Sequence, residues 1–143
     1  MMEAIDILFT ASTHRSVDNA VRMAQSMQHV AGAVLLGLTA TDPAELDAIR
    51  KQDTGCILLQ SDVDNLYYNR AVGFLWALSH EIRARYLCSC DDDLEFTAQS
   101  INLVADLDRA YRRAPFCVAT FNNGAQFYEP YGRLIEGDLY GNL

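Results

Sequence analysis

Short apolar runs alternate with amphipathic stretches along most of this chain, and polar residues collect where the runs end. Ile5-Asp6-Ile7-Leu8-Phe9-Thr10 has the hydrophobicity of a strand and gives way to the polar turn Ser12-Thr13-His14-Arg15. Ser16 is placed to cap a helix from Val17 to about Gln28, with Val21, Ala24 and Met27 as its apolar stripe. Gly32 to Leu38 predicts a second strand. Asp42-Pro43-Ala44-Glu45 then has the form of a capping box with proline at the first helical position, opening a helix to about Gln52. Gly55 opens a third strand, Cys56-Ile57-Leu58-Leu59, and Asp62-Val63-Asp64-Asn65 leads into the longest helix. That helix runs from Leu66 to about Ile82, with Tyr67, Ala71, Phe74, Leu75, Leu78 and Ile82 keeping a helical period. A fourth strand, Arg85-Tyr86-Leu87-Cys88, enters the acidic run Asp91-Asp92-Asp93, and a helix follows from about Thr97 to Arg113. Ala114-Pro115 breaks that helix, and Phe116 to Phe121 predicts a fifth strand. Beyond Asn123-Gly124 the periodicity fails. Residues 125–143, rich in tyrosine, glycine and acids, read as a lid, an interface segment or an irregular return strand.

The order βαβαβαβαβ with near-continuous apolar strands predicts an α/β fold, an open α/β/α sandwich built on a mainly parallel sheet. In such sheets ligands bind at the carboxyl ends of the strands. Here those ends carry Ser12 to Arg15, Thr39 and Thr41, Ser61 with Asp62 and Asp64, the aspartate triplet, and Asn122-Asn123. The chemistry of the chain is therefore expected along one edge.

At 143 residues, half of them hydrophobic and about a fifth charged, the chain reads as a single globular domain over residues 1–143. Its net charge of −8 argues against a nucleic-acid backbone as partner, but one nucleotide remains compatible if a metal and an arginine neutralise its phosphates. No apolar run approaches the roughly 18 residues of a membrane span, and the start Met-Met-Glu lacks the basic region of a signal peptide. Cys56, Cys88, Cys90 and Cys117 lie in strand-like runs without zinc-ligand spacing. They read as reduced core residues, which leads to the expectation of a cytoplasmic protein.

Three consecutive carboxylates at the end of a strand repel one another. A hard divalent cation relieves that repulsion, while the alternative is an acidic cap on the following helix. His14 and His80 read as a loop histidine and a helix C-terminal residue, and Trp76 and Phe74 as core.

Taken together, Thr10-Ala11-Ser12-Thr13-His14-Arg15 after the first strand and Asn69-Arg70 in a helix leading to Cys90-Asp91-Asp92-Asp93 resemble a GT-A glycosyltransferase. The likeness is to the nucleotide-binding half of the family 2-like, inverting enzymes, and covers about residues 4 to 123. It implies a GT-A, Rossmann-like nucleotide-binding domain. The loop after the first strand would cradle base and ribose through Thr10, Ala11, Ser12 and Arg15, and Arg70 would approach the base or diphosphate. Asp91 would contact the ribose and, with Asp93, the metal, supported by Asp92. The family's acid after the second strand is replaced here by Leu38-Thr39-Ala40-Thr41, so Asp62 or Asp64 would take its part. The resemblance also implies Mn²⁺ or Mg²⁺ as cofactor, a UDP- or GDP-sugar as donor, and inverting transfer to an acceptor hydroxyl.

In that family the acceptor half and catalytic base lie downstream of the fifth strand, where this chain offers Glu129, Glu136 and Asp138; Asp138 is the expected base. The rival expectation is a non-catalytic nucleotide-sugar-binding module, or a partial transferase that borrows its acceptor site from a partner chain. Tyr128, Tyr131 and Tyr140 would form either an acceptor wall or a homo-oligomer interface.

Overall fold

A computed structural model describes residues 4–113. Four strands and four helices alternate: β1 (Ala4–Ser12), α1 (Val17–Ser26), β2 (Val34–Ala40), α2 (Pro43–Arg50), β3 (Ile57–Gln60), α3 (Leu66–Ser79), β4 (Arg83–Asp91) and α4 (Leu103–Arg113). The sheet is wholly parallel in the order β3-β2-β1-β4. The expected α/β fold is therefore present, while the expected fifth strand at Phe116 to Phe121 and the tail 125–143 lie outside the described residues. The chain divides into two compact units, Met1–Val104 and Ala105–Leu143; the second is described only through α4, where Arg109 donates to Asp106 at 2.7 Å.

Helices cover both faces of the sheet. Phe9 and Thr10 are neighbours in β1 and so point to opposite faces. On the Phe9 face, the ring of Phe96 meets that of Phe9 edge-on at 5.2 Å, and the Phe96 N–H donates to Ser26 Oγ at the end of α1. On the Thr10 face lies α3, brought there because the chain reverses direction across the sheet between β3 and β4. Ile7, Leu8, Phe9, Met23, Leu38 and Ile49 form the fully buried centre.

Several elements differ from their sequence-based limits. β1 continues through Ser12 and β4 through Asp91, because ladder pairing extends to Ser12↔Asp91 and Ser12↔Thr39. α1 ends at Ser26 in a 3-10 turn, and a second 3-10 turn, Ala98–Asn102, capped by Thr97, precedes α4. Ser16 occupies the N-cap position of α1, yet its hydroxyl donates to His14 O instead of capping. The buried face of α1 is Ala20, Met23 and Ala24. Asp42 does cap α2, accepting from Ala44 N–H at 2.8 Å. Asp6, a polar residue within the first apolar run, ties the amino edge together by accepting from Ala33 N–H and Arg85 Nη1.

The largest correction concerns α3. Its sheet-facing positions are Asn69, Gly73 and Ala77, while Tyr67, Leu75 and Leu78 of the expected apolar stripe are exposed. Close approach explains this: a Cβ on Gly73 would stand 2.6 Å from Thr10 Cγ2, and a Cβ on Gly37 would lie 3.8 Å from Gly73 Cα. Helix and sheet are too close for large side chains between them. Gly73→Ala is accordingly expected to destabilise the domain by ~1–3 kcal/mol through overpacking, outweighing the ~1 kcal/mol that alanine gains over glycine in helix propensity. Adding Thr10→Ser removes the clashing methyl and should restore most of that loss in a urea titration. A Gly73→Ala protein more stable than the parent would show that the approach is looser than described.

Candidate functional site at the carboxyl edge

Ladder pairing sets Thr39 of β2, Ser12 of β1 and Asp91 of β4 side by side. Partners in a ladder share a face, so this row lies on the face covered by α3. It crosses two inter-strand spacings, about 10 Å. The first turns of α3 stand over it because the helix runs antiparallel to the strands, beginning at their carboxyl ends. Asn65 fixes that beginning by accepting from Tyr68 N–H at 2.9 Å. One turn of helix before Gly73, Asn69 is buried and Arg70 reaches β4, donating through Nη2 to Asp91 Oδ1.

Buried polar atoms are ordinarily hydrogen-bonded, and those that are not call for an explanation. Among the described residues, the buried side-chain atoms without a partner are Thr10 Oγ1, Thr13 Oγ1, Thr39 Oγ1, Asn69 Oδ1 and Arg70 Nε. Four of the five belong to the carboxyl ends of β1 and β2 or to the start of α3, and Thr13 opens the loop after β1. Thr10 is closed off beneath Gly73, but the others lie toward the edge that also carries the three carboxylates, a set that suits a polar ligand which both accepts and donates hydrogen bonds.

The sequence-predicted residues fall into groups. Asp91 is the last residue of β4, half-buried Asp92 and exposed Asp93 form the turn that follows, and Arg70 joins them from α3. Phe96 anchors the far side of this acidic turn in the core. Ser12 lies in the row beside Asp91. Thr10 and Ala11 stand inside β1, buried between β2 and β4, and are not the loop residues expected from sequence. The loop proper begins at Thr13, whose N–H donates to Thr39 O at 2.9 Å. Arg15 is exposed in that loop with φ of 53°, a backbone region uncommon for a residue with a side chain. Asp62 follows β3, three strands from β4 and so about 14 Å across the sheet from the row's Asp91 end. Asp138 lies outside the described residues.

The donor set at the triplet is carboxylate oxygen, the chemistry hard divalent cations prefer. No group of three His, Cys, Asp or Glu side chains among the described residues is arranged to hold a metal ion. One or two carboxylates of the triplet would hold a cation only if ligand oxygens and water completed its shell, as is usual for Mg²⁺.

Cys88 and Cys90 share the other face of β4. Hydrogen bonding from Cys90 holds the Cys88 thiol below its usual range, and the same contact, reinforced by burial, pushes Cys90 up. Burial likewise raises Cys56, against a hydrogen bond from Thr54. Cys56, Cys88 and Cys90 are all free thiols.

From sequence, Thr39 is marked only as a polar residue at a strand end and Asn69 only as the neighbour of Arg70 in the helix, neither with a role of its own. The available signal for Asn69 was its spacing: a polar residue four positions before a helical glycine, on the same narrow face.

No protein-family model matches this chain, and no curated protein matches it with significance. No helix among the described residues is long and apolar enough to cross a membrane.

Proposed function

We propose that this chain is a metal-dependent glycosyltransferase domain that binds a nucleoside diphosphate sugar at the carboxyl edge of its sheet. The observation that carries the reading is the gathering of unpartnered buried polar atoms beside an arginine and three carboxylates. Arg70 is suited to a diphosphate because its guanidinium stays charged and offers donors in a planar fork. Ser12, Thr39 and Asn69 supply neutral donors and acceptors of the kind that fix a base or ribose. Asp91 and Asp93 would hold the divalent cation, with Asp92 supporting them. When bound, that cation stabilises charge developing on the departing nucleoside diphosphate. The chain's own residues then hold the donor in place: Arg70 balances phosphate charge, and burial under α3 keeps water from the inner part of the row. Transfer also requires a carboxylate that takes the acceptor proton, a part assigned by resemblance to Asp138.

Two measurements test this. Calorimetry with UDP and with GDP, each with and without Mn²⁺, should show metal-dependent binding of one of them; no heat with either nucleotide would remove the reading. Release of free nucleoside diphosphate from a panel of UDP- and GDP-sugars should follow when a suitable acceptor is present. Binding without release across sugar acceptors would mark a nucleotide-sugar-binding module that borrows its acceptor site.

A further inference from the structure

The reading above, on which this inference rests, gives Arg70 and Asp91 different partners, a phosphate and a cation. The structure pairs them with each other. The two ends of the pair differ in setting: the arginine side chain is 18% exposed with its Nε unpartnered, whereas that of Asp91 is 66% exposed. A cation that draws Asp91 away leaves a largely buried guanidinium without its counter-charge, which is costly. An anion that draws Arg70 away faces the carboxylates of Asp91, Asp92 and Asp93 uncompensated. A cation–diphosphate complex meets neither obstacle, since the cation takes Asp91 as the phosphate takes Arg70. Every charge leaves one opposite partner and gains another.

We propose that the Arg70–Asp91 pair is an exchange latch: the site admits a nucleoside diphosphate and its divalent cation as a complex and excludes each one alone. Among the described residues no three acidic, histidine or cysteine side chains are arranged around one point, so an ion at this turn would rely on ligand oxygens. Asp91 is the exposed end, so the cation of the arriving complex meets it before the phosphate reaches the more buried Arg70.

The test uses the full chain, with Mn²⁺ binding read by its paramagnetic resonance signal and UDP binding by calorimetry. In the parent protein each should bind weakly alone, and each should strengthen the other by the same factor, on the order of 100-fold. Arg70→Gln should tighten Mn²⁺ alone by ~10-fold while weakening UDP in the presence of Mn²⁺ by a similar factor, so that the coupling falls to roughly 10-fold. Arg85→Gln removes the same charge from a residue paired with Asp6, six positions and about 20 Å earlier along β4, and should leave Mn²⁺ affinity unchanged. Asp91→Asn, the other half of the latch, should tighten inorganic diphosphate in the absence of metal.

Mn²⁺ affinity unchanged in Arg70→Gln, or equally tightened in Arg85→Gln, would overturn the latch. So would uncoupled binding of Mn²⁺ and UDP by the parent, with the nucleotide reading intact. A parent protein that binds neither, even together, would overturn the nucleotide reading and the latch with it.

Discussion

Asp93→Ala is expected to abolish Mn²⁺-dependent binding of UDP and to leave the unfolding midpoint close to that of the parent. Asp93 is exposed in the turn after β4 and is not among the buried residues of the core. Removing a carboxylate from a crowded acidic turn relieves repulsion in the protein alone, so stability should hold or rise slightly. Binding should suffer far more. A site that offers one or two carboxylates to a cation loses much of its share of the coordination with one of them. Calorimetry with UDP and Mn²⁺, beside a thermal melt, checks both halves. A variant that binds UDP and Mn²⁺ as the parent does would show that the metal ligands lie elsewhere.

Three residues further on, Phe96→Ala should do the opposite: a loss of about 3–5 kcal/mol in stability, the range for deleting a buried aromatic ring. Phe96 is buried, meets Phe9 edge-on and holds the chain to Ser26 through its N–H. The ring pairing accounts for about 1 kcal/mol of that, and the cavity for most of the rest. For a domain whose whole stability is of order 5–15 kcal/mol, this removes a large share. Phe96→Leu should retain more than half of what alanine loses. Urea unfolding of both variants measures the effect, and an alanine variant within 1 kcal/mol of the parent would contradict the described packing. The two substitutions separate what the turn does for a ligand from what its anchor does for the fold.

Strand and helix order was legible because β1, β2 and β3 are continuous apolar runs between recognisable breaks. The Asp42-Pro43 start of α2 was legible because its cap is a local interaction, formed by the residue beside the proline. The face of α3 was not legible. A periodic stripe of large apolar residues usually marks the buried side, but here the separation of helix and sheet is set by Thr10, Gly37 and Gly73, which meet only in three dimensions. The same holds for the ends of β1 and β4, which extend further because they pair with each other. At the site, the triplet and Arg70 were visible from residue type. That Arg70 pairs with Asp91, twenty-one positions away, follows from β4 lying next to β1 beneath α3, and no local pattern encodes that. The parts of Asn69 and Thr39 were hidden for the same reason: only the fold shows that Asn69 Oδ1 and Thr39 Oγ1 are buried without partners.

The most direct measurement is a crystal of the chain soaked with UDP and Mn²⁺, with anomalous diffraction used to locate the manganese. The expected result is one manganese at the carboxylates of Asp91 and Asp93, bridged to a diphosphate that Arg70 now contacts in place of Asp91. Manganese and UDP ordered away from this turn, with Arg70 still on Asp91, would contradict the account.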